Sequence, residues 1–276
     1  MASSDHPSAQ LALHGLRPKK HFGQNFLADA RLAERIAELA TTPPGGTVIE
    51  LGAGLGALTR PLLARAERVV AVERDRDLVP LLASALTSPK LRVAEDDAKT
   101  VNVSALLEGG PRPHVLAGNL PYQITGPLLE KTVGLSRALD RAVFLVQLEV
   151  ADRVSAAPGT PAYGALSVFV QAAFSPTRAF VIKRGAFHPQ PGVDSAVLVL
   201  EPRAALLAEE DDAFRGLVRA AFGQRRKKLR NAWHGVLGTD GAALAAAAER
   251  AKVSLEQRGE TLGVADFARM AQELRR

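Results

Sequence analysis

The chain has 276 residues, no cysteine, and 35 Lys+Arg against 29 Asp+Glu, a formal net charge of +6. That length predicts one large domain or one domain plus a small one. The missing cysteines exclude disulfides, thiolate metal sites, cysteine nucleophiles and iron–sulfur clusters together, and the modest positive charge favours a polyanionic partner without proving one.

Residues 1–17 are small, polar and irregular and are expected to form a flexible tail. No secretory apolar region and no run of about 18 apolar residues is seen, so a cytoplasmic chain away from membranes is expected. Lys19 and Lys20 come next, ahead of Phe22-Gly-Gln-Asn-Phe-Leu27, a stretch too short and glycine-broken for a helix. Asp29 is placed to cap a helix running to about Ala40, with Leu32, Ile36 and Leu39 inward.

The central stretch is Thr47 to Thr59, Thr-Val-Ile-Glu-Leu-Gly-Ala-Gly-Leu-Gly-Ala-Leu-Thr. Val48, Ile49 and Leu51 read as a buried parallel strand. Gly52, Gly54 and Gly56 then let a ligand approach main-chain N–H groups before a helix begins. Strand, glycine loop and helix make a nucleotide-cofactor site. The same glycines also satisfy the dinucleotide pattern G-x-G-x-x-G/A, so the loop alone leaves the cofactor open.

The helix is predicted to reach about Ala66, with a second strand from Arg68 to Val72 ending at Glu73. Glu73 follows Gly54 by about 20 residues, the spacing at which an acid meets ribose hydroxyls. A solvated strand end is the alternative. Asp77–Leu86 reads as helix and Leu91–Ala94 as the third strand, closed by Glu95, Asp96 and Asp97. There Asp97 is a candidate acceptor for an adenine amino group. His114–Gly118 is the fourth strand, a helix follows from about Thr125, and Arg141–Leu148 is a fifth, strongly apolar strand. Tyr163–Phe174 reads as a buried helix. Thr177–Ile182 and Ser195–Leu200 are expected to pair at one sheet edge. From about Ala204 the pattern is helical: Asp212–Trp233, Ala242–Lys252 and Val264–Arg276. The fold class is therefore α/β, a Rossmann-like, mostly parallel sheet with one antiparallel edge strand and a small all-helical domain. The expected domains are 18–203 and 204–276.

Asn119-Leu-Pro-Tyr122, after the fourth strand, carries the chemistry. An exocyclic base amine is a poor nucleophile because its lone pair is delocalised into the ring. An Asn side-chain oxygen and the Leu120 carbonyl, held by the extended geometry that precedes Pro121, are paired acceptors for its two N–H bonds. Tyr122 offers a stacking face worth about 1–3 kcal/mol. The reading is methylation of a base amine without a dedicated general base; a simple strand-end turn is the alternative. Phe187, in a loop stiffened by Pro189 and Pro191, is a second aromatic candidate, placed to close over the pocket. The six histidines show no ligand spacing, so no metal is expected. A P-loop and a G-x-S-x-G elbow are both missing, which argues against an NTPase and an α/β hydrolase.

These motifs, with Gln147-Leu-Glu-Val-Ala-Asp-Arg153, Tyr163-Gly-Ala-Leu-Ser167 and Phe187-x-Pro-x-Pro-x-Val-x-Ser195, occur in order over residues 18–263. The chain resembles the rRNA adenine N6,N6-dimethyltransferases, in particular the small-subunit branch. The resemblance implies S-adenosyl-L-methionine as cofactor and two adjacent adenosines near the 3′ end of 16S rRNA, in the small ribosomal subunit or its precursor, as target. It implies cofactor contacts from Asn25, Leu27, Gly52, Gly54, Glu73, Asp97 and Asn119, and a base held by Asn119, Leu120, Pro121, Tyr122 and Phe187. RNA contacts are expected from Lys19 and Lys20 and from a basic helix with Arg225, Arg226, Lys227, Lys228 and Arg230. Lys228, Ala232 and Ala165 stand where the family usually has Thr, Asn and Arg, which touches the RNA contact rather than catalysis. A monomer is expected. The alternatives are a 23S rRNA adenine methyltransferase of the antibiotic-resistance type, or a non-catalytic RNA-binding assembly factor on the same fold.

Overall fold

A computed structural model describes residues 6–275. The strands are β1 (Phe26–Leu27), β2 (Thr47–Leu51), β3 (Arg68–Glu73), β4 (Leu91–Glu95), β5 (His114–Asn119), β6 (Arg141–Gln147), β7 (Phe174–Ile182), β8 (Phe187–His188) and β9 (Ser195–Pro202). The helices are α1 (Pro7–Leu13), α2 (Ala30–Ala40), α3 (Thr59–Arg65), α4 (Val79–Ala85), α5 (Val103–Leu107), α6 (Thr125–Val133), α7 (Leu148–Val154), α8 (Ala165–Ala173), α9 (Asp212–Gly223), α10 (Leu229–Ala232), α11 (Gly241–Ala251) and α12 (Val264–Leu274).

Seven strands form one sheet in the order β4-β3-β2-β5-β6-β9-β7. The five strands from β4 to β6 run parallel, each pairing in register with its neighbours. The inner strands are largely apolar and buried because helices cover both faces, whereas the edge strand β4 exposes Arg92 and Glu95. Chain order reverses between β2 and β5, the switch point at which doubly wound sheets open a ligand crevice beyond their carboxyl ends. Strand β9 pairs antiparallel with β6, Gln147 facing Ser195, and carries β7 outside it. The close packing of β2 on β5 requires glycine at 118, where a Cβ would lie 2.4 Å from the Leu51 carbonyl oxygen.

The chain divides into two compact units. The first runs to Ala151 and takes in Thr177–Pro202; the second holds Asp152–Pro176 and everything from Arg203. The sequence placed 152–176 with the sheet. In the structure Tyr163, Val168, Phe169 and Ala172 join Phe214, Trp233 and Phe267 in the core of the helical unit. The Tyr163 hydroxyl donates to the Leu262 carbonyl at 3.0 Å and the Trp233 indole N–H to that of Leu217 at 2.9 Å, so both large side chains are buried with their polar tips satisfied.

Two expectations need correction. Residues 1–17 are not a flexible tail throughout. Although 1–5 lie outside the described residues, 7–13 form a helix whose Leu11, 2% exposed, packs with Phe26 and Leu78. Nor is 212–233 one helix, because α9 stops at Gly223 and α10 starts at Leu229. Four consecutive cations, Arg225 to Lys228, occupy the gap. The main-chain N–H groups of Leu229 and Arg230 donate to Gln257 and Leu255 carbonyls instead of to their own helix.

Gly118→Ala is expected to destabilise the sheet unit by roughly 1–3 kcal/mol, the usual cost of overpacking. Thermal denaturation should show a melting temperature lowered by several degrees; an unchanged value would mean that β2 and β5 can move apart freely.

Candidate active site

The ends of β2, β3, β4 and β5 surround a cavity of about 460 Å³, lined among others by Asn25, Gly52, Gly54, Glu73, Asp97, Asn119 and Tyr122. That volume lies within the range of small-molecule sites. Gly54 sits at φ +58°, which a side chain rarely adopts, and its N–H donates to Glu73 Oε2 at 2.7 Å. Glu73 Oε1 accepts from Asp75 N–H at 2.8 Å. A carboxylate has about four acceptor sites; with the main-chain N–H groups of Gly54, Asp75 and Arg74 on it, Glu73 braces the glycine loop and keeps about one site for a ribose hydroxyl. Burial raises its pKa, against the hydrogen bonds from the main chain.

Asp97 closes the other side of the cavity. Its Oδ1 accepts from Lys99 N–H at 2.9 Å and its Oδ2 pairs with Arg74 at 3.0 Å. Asn119 is at the mouth. Its Nδ2 donates to the Asn25 main-chain carbonyl at 2.7 Å, which commits the NH₂ end of the amide and leaves Oδ1 as an acceptor. Leu120 N–H is held by the Leu145 carbonyl at 3.0 Å, and the Pro121 carbonyl accepts from Ile124 N–H and Thr125 Oγ1. The Tyr122 ring is anchored through its hydroxyl, 2.7 Å from Ser195 Oγ on β9; burial raises its pKa.

Glu50, Asp75, Gln24 and Phe26 also belong here. Asp75 is buried and takes hydrogen bonds from Lys19 at 2.5 Å and Gln24 at 2.7 Å. Burial pushes its carboxyl up, but those two donors and the Asp77 N–H outweigh burial and lower it. Asp75 stands two residues past Glu73, and only this three-dimensional pairing exposes its role. Glu50 is 1% exposed, accepts from the Thr59 hydroxyl at 2.6 Å and lines the cavity. Burial lifts its pKa to about 8, with the Thr59 hydrogen bond opposing and the Glu73 charge adding.

Two site expectations change. Phe187 does not close over the cavity. It is 4% exposed, pairs with Leu27 across β1–β8, and packs in the core with Leu27, Ile182 and Val197. The antiparallel register turns its ring inward. Lys19 is spent within the site, its ammonium bridging Asp75 and Asp77 at 2.5 and 2.6 Å; Lys20 is exposed. In the helical unit, Arg225 pairs with Glu260, Lys228 with Glu256 and Arg230 with Glu256. Arg226 and Lys227 are exposed in the turn between α9 and α10, so this basic stretch is a loop in its first half.

Residues 15–276 match the family model described as ribosomal RNA adenine dimethylase. The chain belongs to that family. It is 44% identical over 278 residues to "Ribosomal RNA small subunit methyltransferase A" of Anaeromyxobacter sp. (strain K), covering 97% of each chain. It is 42% identical over 271 residues to the protein of the same name from Pelotomaculum thermopropionicum, covering 94% of this chain and 92% of that one. The fold matches a dimethyladenosine transferase from Plasmodium falciparum with a TM-score of 0.77 at 24% identity, over 91% of this chain and 97% of that one. A 23S rRNA methyltransferase, ErmE, matches with a TM-score of 0.66 at 28% identity, over 91% and 100%. The family fixes the chemistry as dimethylation of rRNA adenine with S-adenosylmethionine. The residues fit that cofactor: a glycine cradle for its backbone-facing side, a braced carboxylate at ribose spacing, and Asp97 beyond it.

The buried Glu50 gives a pH prediction. Unfolded, it titrates near the ordinary carboxylate value of 4.5; folded, burial raises it to about 8. Between those values the folded state holds a proton that the unfolded chain has released, so the stability contribution is full below about 4.5 and is lost as pH rises through about 8. Relative to Glu50→Gln, the ligand-free wild type should melt at progressively lower temperature from pH 6 to pH 9. Parallel melting profiles across that range would show that Glu50 ionises without cost.

Proposed function

We propose that this chain transfers methyl groups from S-adenosylmethionine to N6 of two adjacent adenosines in the 3′-terminal hairpin loop of 16S rRNA, during small-subunit maturation in the cytoplasm. Asn25, Leu27, Gly52, Gly54, Glu73 and Asp97 hold the cofactor. S-adenosylmethionine, when bound, supplies an electrophilic methyl on a sulfonium. Asn119 Oδ1 and the Leu120 carbonyl accept the two N6–H bonds and draw the lone pair out of the adenine ring toward that methyl. Pro121 keeps the Leu120 carbonyl aimed, and the Tyr122 ring carries the base. The product ammonium is acidic and sheds its proton to water, so no side chain serves as base.

The observation that carries this reading is the Asn119 amide, whose Nδ2 is committed to the Asn25 carbonyl. An amide held that way has one N–H engaged and its oxygen left to accept, which suits an amine donor. The relatives named for the small subunit support 16S rRNA as target over 23S rRNA. RNA affinity outside the pocket falls to Lys20, Arg226 and Lys227, with Arg225, Lys228 and Arg230 shielded by their glutamate partners.

Asn119→Ala should abolish N6,N6-dimethyladenosine formation on purified 30S particles, read by mass spectrometry of nucleosides, while leaving most RNA affinity in place, since phosphate contacts dominate it. Dimethylation at the wild-type rate would remove Asn119 from the mechanism. Product on protein-free 23S rRNA and none on 30S particles would instead select the large-subunit alternative. Replacing both Arg226 and Lys227 with Ala should reduce the slope of log affinity against log salt by roughly one to two. An unaltered slope would place both side chains in water only.

A further inference from the structure

The turn after β4 carries Asp96, Asp97 and Ala98 into the cavity wall. Inside the turn, the N–H groups of Thr100 and Val101 fold back on the Asp97 carbonyl at 2.9 and 2.8 Å. The carbonyls of Ala98, Lys99 and Val101 point outward and converge on one atom. Lys131 Nζ, from the last turn of α6, donates to them at 2.9, 3.2 and 2.5 Å. An ammonium has three protons and no acceptor, so this one is saturated by a single segment of backbone. Burial lowers the Lys131 pKa, and the negative charges of Asp96 and Asp97 oppose that shift. Helix α6 starts at Thr125, three residues past Tyr122. The side chain thus ties the cofactor's nucleobase end to the helix that follows the target-base motif.

We propose that Lys131 is a positioning residue that sets the adenine specificity of the cofactor site, by clamping the 98–101 backbone so that the Asp97 carboxylate stays aimed at the 6-amino group. The proposal rests on the reading of Asp97 as the adenine acceptor. Without the clamp the three carbonyls must find water, the turn loosens, and Asp97 swings with it. Contacts at Gly54 and Glu73 lie on other loops, joined to this turn through the Arg74–Asp97 pair and the Asp96 N–H on the Glu73 carbonyl, and receive no bond from Lys131. The loss therefore falls on discrimination between nucleobases rather than on cofactor binding as a whole. A 6-oxo base turns a lone pair toward the carboxylate where adenine turns a proton, so the pair adenine/hypoxanthine reads the aim of Asp97 directly.

The test is calorimetric binding of S-adenosylhomocysteine and S-inosylhomocysteine to the full chain. Lys131→Met is expected to weaken the adenosyl compound about tenfold and the inosyl compound less than twofold, collapsing the ratio of the two affinities. Lys131→Arg, which keeps charge and donors, is expected to restore most of that ratio. Asp97→Ala should collapse the ratio on its own, and Lys131→Met should change nothing further in that background. Should Lys131→Met fail to fold, Lys131→Gln, uncharged but with two N–H donors, is read for the same ratio. If Asp97→Ala leaves the ratio intact, the adenine reading of Asp97 is wrong and the proposal loses its premise. If Asp97→Ala collapses the ratio and loss of Lys131 leaves it intact, with both ligands weakened equally or not at all, Lys131 only supports the fold and the inference is overturned.

Discussion

The site depends on a single hydrogen bond between residues 94 positions apart: Asn119 Nδ2 to the main-chain oxygen of Asn25 at 2.7 Å. An amide side chain is nearly symmetric in shape and opposite in polarity at its two ends, so a free one would serve donors and acceptors alike. In the proposed reaction, pinning the nitrogen removes that ambiguity before the base arrives. The pin works because β5 delivers Asn119 to the carboxyl edge of the sheet while β1 pairs with β8 and brings Asn25 alongside. Pre-set polarity of this kind acts without reorganisation at the moment of reaction.

Around that bond the remaining groups divide the labour by strand. The loop after β2 gives backbone N–H groups and no polar side chain, the end of β3 gives Glu73 to brace it, and the turn after β4 gives Asp97. Asp75 sits between these parts as a junction. It draws Lys19 and Gln24 onto the loop that follows Glu73, which is how the segment between α1 and α2 becomes part of the cavity wall. A buried carboxylate with charge-assisted partners is costly to leave alone, so the segment that satisfies Asp75 is held where it is needed.

Local pattern made the sheet strands, Asp29 as a helix cap, and the glycine loop readable in advance, because each is set by neighbours within a few positions. The Asn119–Tyr122 motif pointed to the family's reaction, since base amines impose a short menu of acceptors. What escaped was decided by contacts distant in sequence. Nothing near Leu11 announces that it will pack on Leu78, and nothing near Phe187 says that pairing with Leu27 will turn its ring into the core. The charge run at 225–228 looked helical because its flanks are helical; the glutamates at 256 and 260, which neutralise part of it, lie about thirty residues on. The pattern around Lys131 marks only a cation in a helix's last turn; the three carbonyls it meets come from another loop about thirty residues earlier.

The anchoring of Tyr122 by Ser195 has a consequence for how this family can diverge. Ser195 stands opposite Gln147 in an antiparallel ladder, and strand side chains alternate faces with period two. A slip of one position in β9 would send the hydroxyl to the other face and release the aromatic ring. The connecting segment from 183 to 194 is therefore free to lengthen or shorten over evolution only by changes that leave the pairing of β9 on β6 intact. Drift in that segment is filtered by an aromatic side chain more than sixty positions upstream.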